Sequence, residues 1–325
     1  MKLSPGEYLG SYWASKLCYI QEIISMTRLL IVGATGELGR AATKYLLRNN
    51  CSVKAFVRNK NNSEELKKAG ADIFLGDITN PDSVKEACTE IDVVIAAVHG
   101  MLGTGKNKSQ NVDDLGHKIL IDCSIESKVK HFIFPSIFGV TKNHPIDFFR
   151  TKYETEQYLI NSGLTYTILR LAPFMEWHVH NLLGKSIQEK GKTTILGVGD
   201  NPTNFIAVAD IVQVLKIIIE NDVYSNKTLN IGGPENISRN EIANLYAAVL
   251  KIPPRINHIP IRVLKILSGL IRPFHAGIGR VMTLSAYNDK ADATMHDSQS
   301  IRQFGLTPTT IEEFINLRLR SNALS

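Results

Sequence analysis

The stretch Leu29-Leu30-Ile31-Val32-Gly33-Ala34-Thr35-Gly36-Glu37-Leu38-Gly39-Arg40 constrains this chain more than any other. An apolar run breaks into three glycines at i, i+3 and i+6 and then resumes with helical spacing, which spells a strand, a tight turn and a helix start. Gly33 permits the sharp exit from the strand. Gly36 lets backbone N–H groups approach a pyrophosphate, and Gly39 lets the helix pack closely on the sheet. Thr35, Glu37 and Leu38 complete the turn, where an anion would meet unpaired N–H groups and the positive end of a helix.

Glycines at this spacing also occur in plain loops, so the neighbours decide. Ala41, Ala42, Tyr45, Leu46 and Leu47 form one apolar helical face. A second strand, Ser52 to Val57, follows at the distance of a βαβ unit. An NAD-preferring site places a carboxylate roughly 20 residues past the glycines, where it accepts from the ribose 2′-OH. Here that place holds Arg58-Asn59-Lys60. Two cations suit the 2′-phosphate of NADP(H), Arg58 through its bidentate fork, so NAD(H) is the less favoured cofactor. A merely solvated basic loop is the plainer alternative.

Farther along, Asp72 to Leu75 reads as a third strand, followed by Gly76-Asp77-Ile78. In a doubly wound sheet this strand end faces the adenine, which Asp77 would hydrogen-bond and Ile78 would cover. Pro81 then starts a helix. The run Ile91 to Val98 has the apolar character of a strand buried on both faces; Ala97, His99 and Gly100 at its end would lie beside the cofactor. Gly103-Thr104-Gly105-Lys106 reads as a flexible loop, and Leu115, Ile119, Cys123 and Ile125 as the lining of a helix. His131 to Phe134 is a fifth strand ending at Ser136, a helix runs from Asp147 to Asn161 with Lys152 on it, and Thr165 to Leu171 is a sixth strand.

This alternation predicts an α/β chain with a doubly wound parallel sheet (Rossmann type) over 26–171, binding its ligand at the carboxyl ends of the strands. Residues 1–25 stand as an N-terminal extension. Residues 172–325 form a smaller C-terminal substrate or partner part interleaved with the first. In it an apolar helix runs through Ile219 with Asp210 as its expected N-cap, Thr228 to Ile231 is a strand, and Ser238 with Glu241 forms a capping box.

The chain's 325 residues are 44% hydrophobic and 21% charged, which excludes disorder. Its net charge is +6, and residues 251–325 hold ten Lys and Arg against five Asp and Glu. A basic balance suits an anionic cofactor. No zinc-finger spacing, RNA-binding aromatic signature or long basic run accompanies it, so no nucleic-acid partner is expected. Cys18, Cys51, Cys88 and Cys123 are scattered without metal-ligand or disulfide spacing, which points to reduced thiols in a cytoplasmic protein without a metal. No apolar run reaches the 18 or more residues of a membrane span.

The assembled motifs resemble the atypical short-chain dehydrogenase/reductase superfamily, and within it the NmrA-like NAD(P)-binding proteins. The carriers, spread over roughly residues 27–320 as that family's size suggests, are the Gly33–Gly39 loop, Arg58, Gly76-Asp77, Lys152 within Thr151-Lys152-Tyr153-Glu154-Thr155-Glu156, Ser162 to Arg170, Phe205 to Asp210, and Gly232-Gly233-Pro234-Glu235. The superfamily's usual active site pairs a tyrosine with a lysine four residues later. Here Phe148 stands in the tyrosine's place, so the resemblance implies that Lys152 still holds the nicotinamide ribose while the phenol is missing. Ser136 matches the superfamily's serine and would polarise a carbonyl.

Two functions follow from the resemblance. One is an NADPH-dependent oxidoreductase acting on a small conjugated acceptor such as a quinone, with His99, Ser136, Phe174, Met175, Trp177 and His178 around the acceptor. The other is an NADP(H)-binding regulatory or assembly protein without turnover. The amphipathic, basic run Ile261 to Arg272 reads as a contact for a partner or a lipid surface, or as a helix packed on its own domain.

Overall fold

The computed structural model of the chain describes residues 27–271, 274–296 and 299–323. The N-terminal extension, 1–25, lies outside the described residues.

Seven parallel strands form the central sheet in the order β3-β2-β1-β4-β5-β6-β9. They are β1 (Arg28–Val32), β2 (Ser52–Val57), β3 (Asp72–Leu75), β4 (Val93–Ala96), β5 (His131–Ile137), β6 (Tyr166–Leu171) and β9 (Lys227–Ile231). β1 shows why the runs are continuous rather than alternating. Leu29 and Ile31 enter one hydrophobic core, and Leu30 and Val32 enter the other on the opposite face. The first core is closed by α1 (Glu37–Arg48) and α7 (Val208–Ile219), through Ala42, Leu46, Ile211 and Leu215. The second is closed by α3 (Pro81–Cys88), α4 (His117–Glu126) and α5 (Asp147–Ile160), through Val84, Leu120 and Leu159. Each of the leucines, isoleucines and valines among them contributes about 1.5–3 kcal/mol on full burial. The sheet is the doubly wound architecture expected from the sequence.

β9 returns from the C-terminal part to complete the sheet beside β6, from Thr167↔Lys227 to Leu171↔Ile231. The rest of that part has its own core, where Met175, Val179, Phe205, Ile242, Tyr246 and Phe314 meet. It carries two short sheets, β10 (Asn236–Ile237) with β8 (Thr203–Asn204) and β11 (Ile256–Ile259) with β7 (Thr193–Leu196). The Ser238–Glu241 capping box is present at the start of α8 (Arg239–Val249).

Two local expectations need correction. Asp210 does not cap α7; Ala207 holds that position, the Glu176 carboxylate accepts from Val208 N at 3.1 Å, and Asp210 instead accepts from Thr309 at 2.9 and 2.8 Å. Leu115 and Ile125 are exposed rather than inward, and Leu120 and Ile121 fill the core in their stead. The wider π-helical turn over Gln110–Gly116 shifts the inner face away from the one a 3.6-residue period projects.

Candidate functional site

The strand order reverses between β1 and β4, so their carboxyl ends diverge and leave a crevice above them. The glycine loop stands on one side of it. Gly33 has φ +85, and a Cβ there would come within 2.8 Å of the Ala97 carbonyl oxygen, so the closeness of β1 to the end of β4 requires glycine. A Cβ on Gly39 would meet the Gly33 carbonyl oxygen at 2.2 Å, which is the tight helix-to-strand contact expected of it. Gly36 differs. It is exposed, its N–H donates to Gly33 O at 2.9 Å, and the only described atom a Cβ would approach is that same oxygen, at 3.3 Å.

Gly36 is the N-cap residue of α1 and offers no side chain to the free N–H groups there. Those donors, with the exposed face of Gly36, form a cradle for an anion. Arg40 fixes the loop by donating to Thr35 O at 3.1 Å and pairing with Glu65 at 3.3 Å. Leu38 is buried, while Glu37 is exposed in the first helical turn. Beyond β2, Arg58 and Lys60 are both exposed, and Arg58 hydrogen-bonds the Asn107 side chain. Asp77 accepts from Thr79 N and Oγ1 at 2.9 and 2.8 Å, an Asx turn. Ile78 is buried in the second core against Gly116, so its side chain does not cover a base; only its backbone is available to one.

On the other side of the crevice lies a buried ionic cluster. Lys152 Nζ is 3.2 Å from Asp113 Oδ1, with side chains 3% and 0% exposed. Asp113 Oδ2 accepts from Gly100 N at 2.9 Å and from the Ser109 hydroxyl at 2.7 Å. The Lys152 ammonium also lies 4.8 Å from the Phe134 ring centroid and 5.9 Å from that of Phe148, an attraction strengthened by desolvation. Burial pushes the Asp113 carboxyl up, but Lys152, His117 and Ser109 outweigh it and hold it below the usual carboxylate range. His117 gives its Nδ1 to Val112 O at 2.8 Å, and burial lowers it to about 3. Its Nε2 has no hydrogen-bond partner among the described residues.

His99 is edge-on to Phe148, ring centroids 6.1 Å apart. It is exposed to solvent, yet desolvation by surrounding protein lowers its pKa. Asp113 raises its pKa in part and Lys152 lowers it further. Ser136 is differently engaged from expectation: it is buried and its hydroxyl donates to Glu156, whose carboxylate also holds Arg170 at 2.6–3.2 Å. Its proton is therefore committed to a carboxylate rather than free for a carbonyl. Lys152, likewise, faces Asp113 instead of standing open.

The C-terminal residues expected around an acceptor divide. Met175 is fully buried in the C-terminal core, which removes it from any acceptor surface. Phe174 is half-buried against the first core, and Trp177 is exposed on a π-helical stretch, Glu176–Gly184. His178 on that stretch packs on Phe205 and is lowered by burial to about 3, so it is neutral. These contacts place His99, Phe148, Lys152 and Asp113 in one group and His178 with Phe205 in another.

Asp113 and Glu156 are the residues the sequence did not single out. Glu156 sat beside Lys152 in a motif already noted, but nothing indicated Arg170 as its partner. Asp113 is one of two adjacent aspartates, and only the packing distinguishes it. Among the described residues no group of His, Cys, Asp and Glu is arranged to hold a metal ion, and no helix is long and apolar enough to cross a membrane.

Comparison with known proteins agrees with this architecture. Over 296 residues the chain is 28% identical to photosystem II assembly factor Ycf39 of Synechocystis sp., spanning 89% of each. The fold matches NADPH-dependent quinone oxidoreductase QOR2 of Escherichia coli, solved with NADPH, at a TM-score of 0.71 and 18% identity over 90% of this chain and 99% of that one. It also matches Citrobacter sp. triphenylmethane reductase, solved with NADP(H), at a TM-score of 0.73 and 16% identity over 89% and 99%. The model of the NmrA-like family matches residues 25–315, nearly the whole chain, and this protein belongs to that family.

Proposed function

We propose that this protein is an NADPH-dependent oxidoreductase that reduces a small conjugated acceptor such as a quinone. The observation that carries the reading is the pairing, across one crevice, of the open turn at Gly36, where a Cβ would meet only the Gly33 oxygen, with the exposed His99 ring beyond β4. The cradle fits a dinucleotide. Gly36 and the free N–H groups of α1 would hold the pyrophosphate, Arg58 and Lys60 would pair with a 2′-phosphate, and Asp77 with the Ile78 backbone would meet the adenine. When bound, the nicotinamide supplies a hydride.

The chain's own residues then position the acceptor and settle the proton. His99, an exposed titratable ring held edge-on by the buried Phe148, is the side chain available to an acceptor. With Phe148 unable to donate a proton, Ser136 committed to Glu156 and the His99 pKa lowered by desolvation, acceptors whose reduced oxygen or nitrogen draws its proton from water suit the site better than simple carbonyls do. The Lys152–Asp113 pair fixes Gly100 and Ser109 beneath the His99 loop. We place Lys152 beside the ribose as a positioning group whose charge is shared with Asp113.

A second reading is an NADP(H)-binding assembly or regulatory protein. The same missing phenol and committed serine favour it, as does the similarity to an assembly factor along most of the chain. Oxidation of NADPH by the purified chain with a panel of quinones and conjugated carbonyls separates the two. Turnover with an acceptor supports the reductase, and binding without turnover supports the other.

A further inference from the structure

The helical hairpin of α9 (Ile261–Ile271) and α10 (Ala276–Asn288) lies outside the cofactor argument and shows a sharply two-sided surface. Its inner side is tied down. Leu264 and Ser268 are buried, and the Ser268 hydroxyl bonds Gly279 O at 2.9 Å and Thr283 Oγ1 at 2.7 Å. On α10, Arg280 donates to Met101 O at 2.7 Å and to Asp147 at 3.0 Å. The hairpin is thus anchored to the loop that follows His99.

The outer side of α9 is apolar and cationic. Val263, Ile266 and Leu270 recur at i, i+3 and i+7 and fall within about 60° of one another around the helix; Ile266 and Leu270 are each 64% exposed. Arg262 and Lys265 are exposed along one flank of that stripe. Phe274, at the turn between the helices, is 90% exposed. From Ile242 to Asn288 the sequence contains six Lys and Arg and no Asp or Glu.

We propose that the outer face of α9, with Phe274, docks on an anionic lipid surface. An apolar ridge on a convex helix would seat in the acyl boundary, and flanking cations on an acid-free segment complement phosphate headgroups. Arg262 and Lys265, exposed beside the ridge on a helix that carries no carboxylate of its own, are the complementarity that selects an anionic bilayer. A protein groove closing over the ridge would need no such one-sided charge.

Flotation of the full chain with vesicles tests this apart from any catalytic role. Binding is expected to vesicles of phosphatidylcholine with phosphatidylglycerol, little to phosphatidylcholine alone, with affinity falling as salt rises. Ile266→Glu/Leu270→Glu is expected to weaken binding at least about tenfold with an unchanged melting temperature, since both side chains point outward. Phe274→Ser provides the same test at the turn, away from α9 packing. Absence of binding to the anionic vesicles, or binding that survives both variants, would overturn the proposal. So would self-association abolished by these substitutions in a chain that ignores vesicles.

Discussion

Replacing Lys152 by methionine should destabilise the protein through a residue it leaves behind. Asp113 is fully buried and faces the ammonium at 3.2 Å. Met keeps the length of the side chain and removes the charge, so a carboxylate remains in an apolar setting with only its Oδ2 satisfied, by Gly100 N and Ser109. Breaking one side of a buried pair costs about 3–5 kcal/mol. The two surviving hydrogen bonds place this case at the lower end. Asp113→Asn on the same background keeps an oxygen for both donors and removes the stranded charge. The double variant should therefore recover about 2 kcal/mol, a coupling well above the ~0.5 kcal/mol expected of independent sites.

Urea denaturation followed by circular dichroism measures both changes. The pH dependence carries a sign. In the unmutated protein the Asp113 carboxyl is held low, so its contribution is present above the ordinary carboxylate range and lost as pH falls through the folded pKa. Without Lys152 the largest influence opposing burial is gone, and the carboxyl moves up from its held-down position. The penalty should then shrink as pH falls, because protonation relieves it. A single variant costing under about 1 kcal/mol, or a double variant no more stable than the single, would show that Lys152 and Asp113 do not act as a unit.

Arg58→Ala should remove most of a preference for NADPH over NADH. A lost charge-assisted pair to phosphate costs about 1.5–3 kcal/mol, or roughly 10- to 150-fold in Kd, and fluorescence titration of both cofactors would show it; equal affinities in the unmutated chain would defeat it. Glu176 gives a pH prediction from the fold alone. Burial raises its carboxyl from 4.5 to about 7, so its contribution to stability is full below pH 4.5 and lost as pH rises through 7, a span of about 3 kcal/mol. Glu176→Gln keeps an acceptor for Val208 N and should flatten that part of the stability profile, most visibly as a higher Tm near pH 8; a profile unchanged by the substitution would contradict it.

The glycine loop and the sheet were legible because their signals are local. A strand, three glycines and a helix start occur within a dozen residues, and continuous apolar runs report burial on both faces. The capping box at Ser238 was legible for the same reason, being complete within four residues. Side-chain direction at element ends was not. Met175 and Ile78 are apolar residues beside the crevice, and whether each faces ligand or core depends on Tyr246 and Gly116, far away in sequence. Asp113 was hidden by a π-helical turn whose register no 3.6-residue period predicts. Ser136 shows the limit of matching by resemblance. Its position agrees with the superfamily's serine, but Glu156 and Arg170 determine where its proton goes.

Hydride transfer in this crevice and cofactor binding alone differ in the fate of bound NADPH. The most direct measurement is a single-turnover experiment: NADPH is bound to the unmutated chain in slight excess of protein, a quinone is added, and the absorbance of the reduced nicotinamide is followed against a protein-free control. Hydride transfer gives a first-order loss of that absorbance, saturating in quinone and abolished by Gly36→Val, whose added methyls would stand where the pyrophosphate meets the loop. Bound NADPH that persists unchanged with every quinone and conjugated acceptor, at full occupancy, would contradict it.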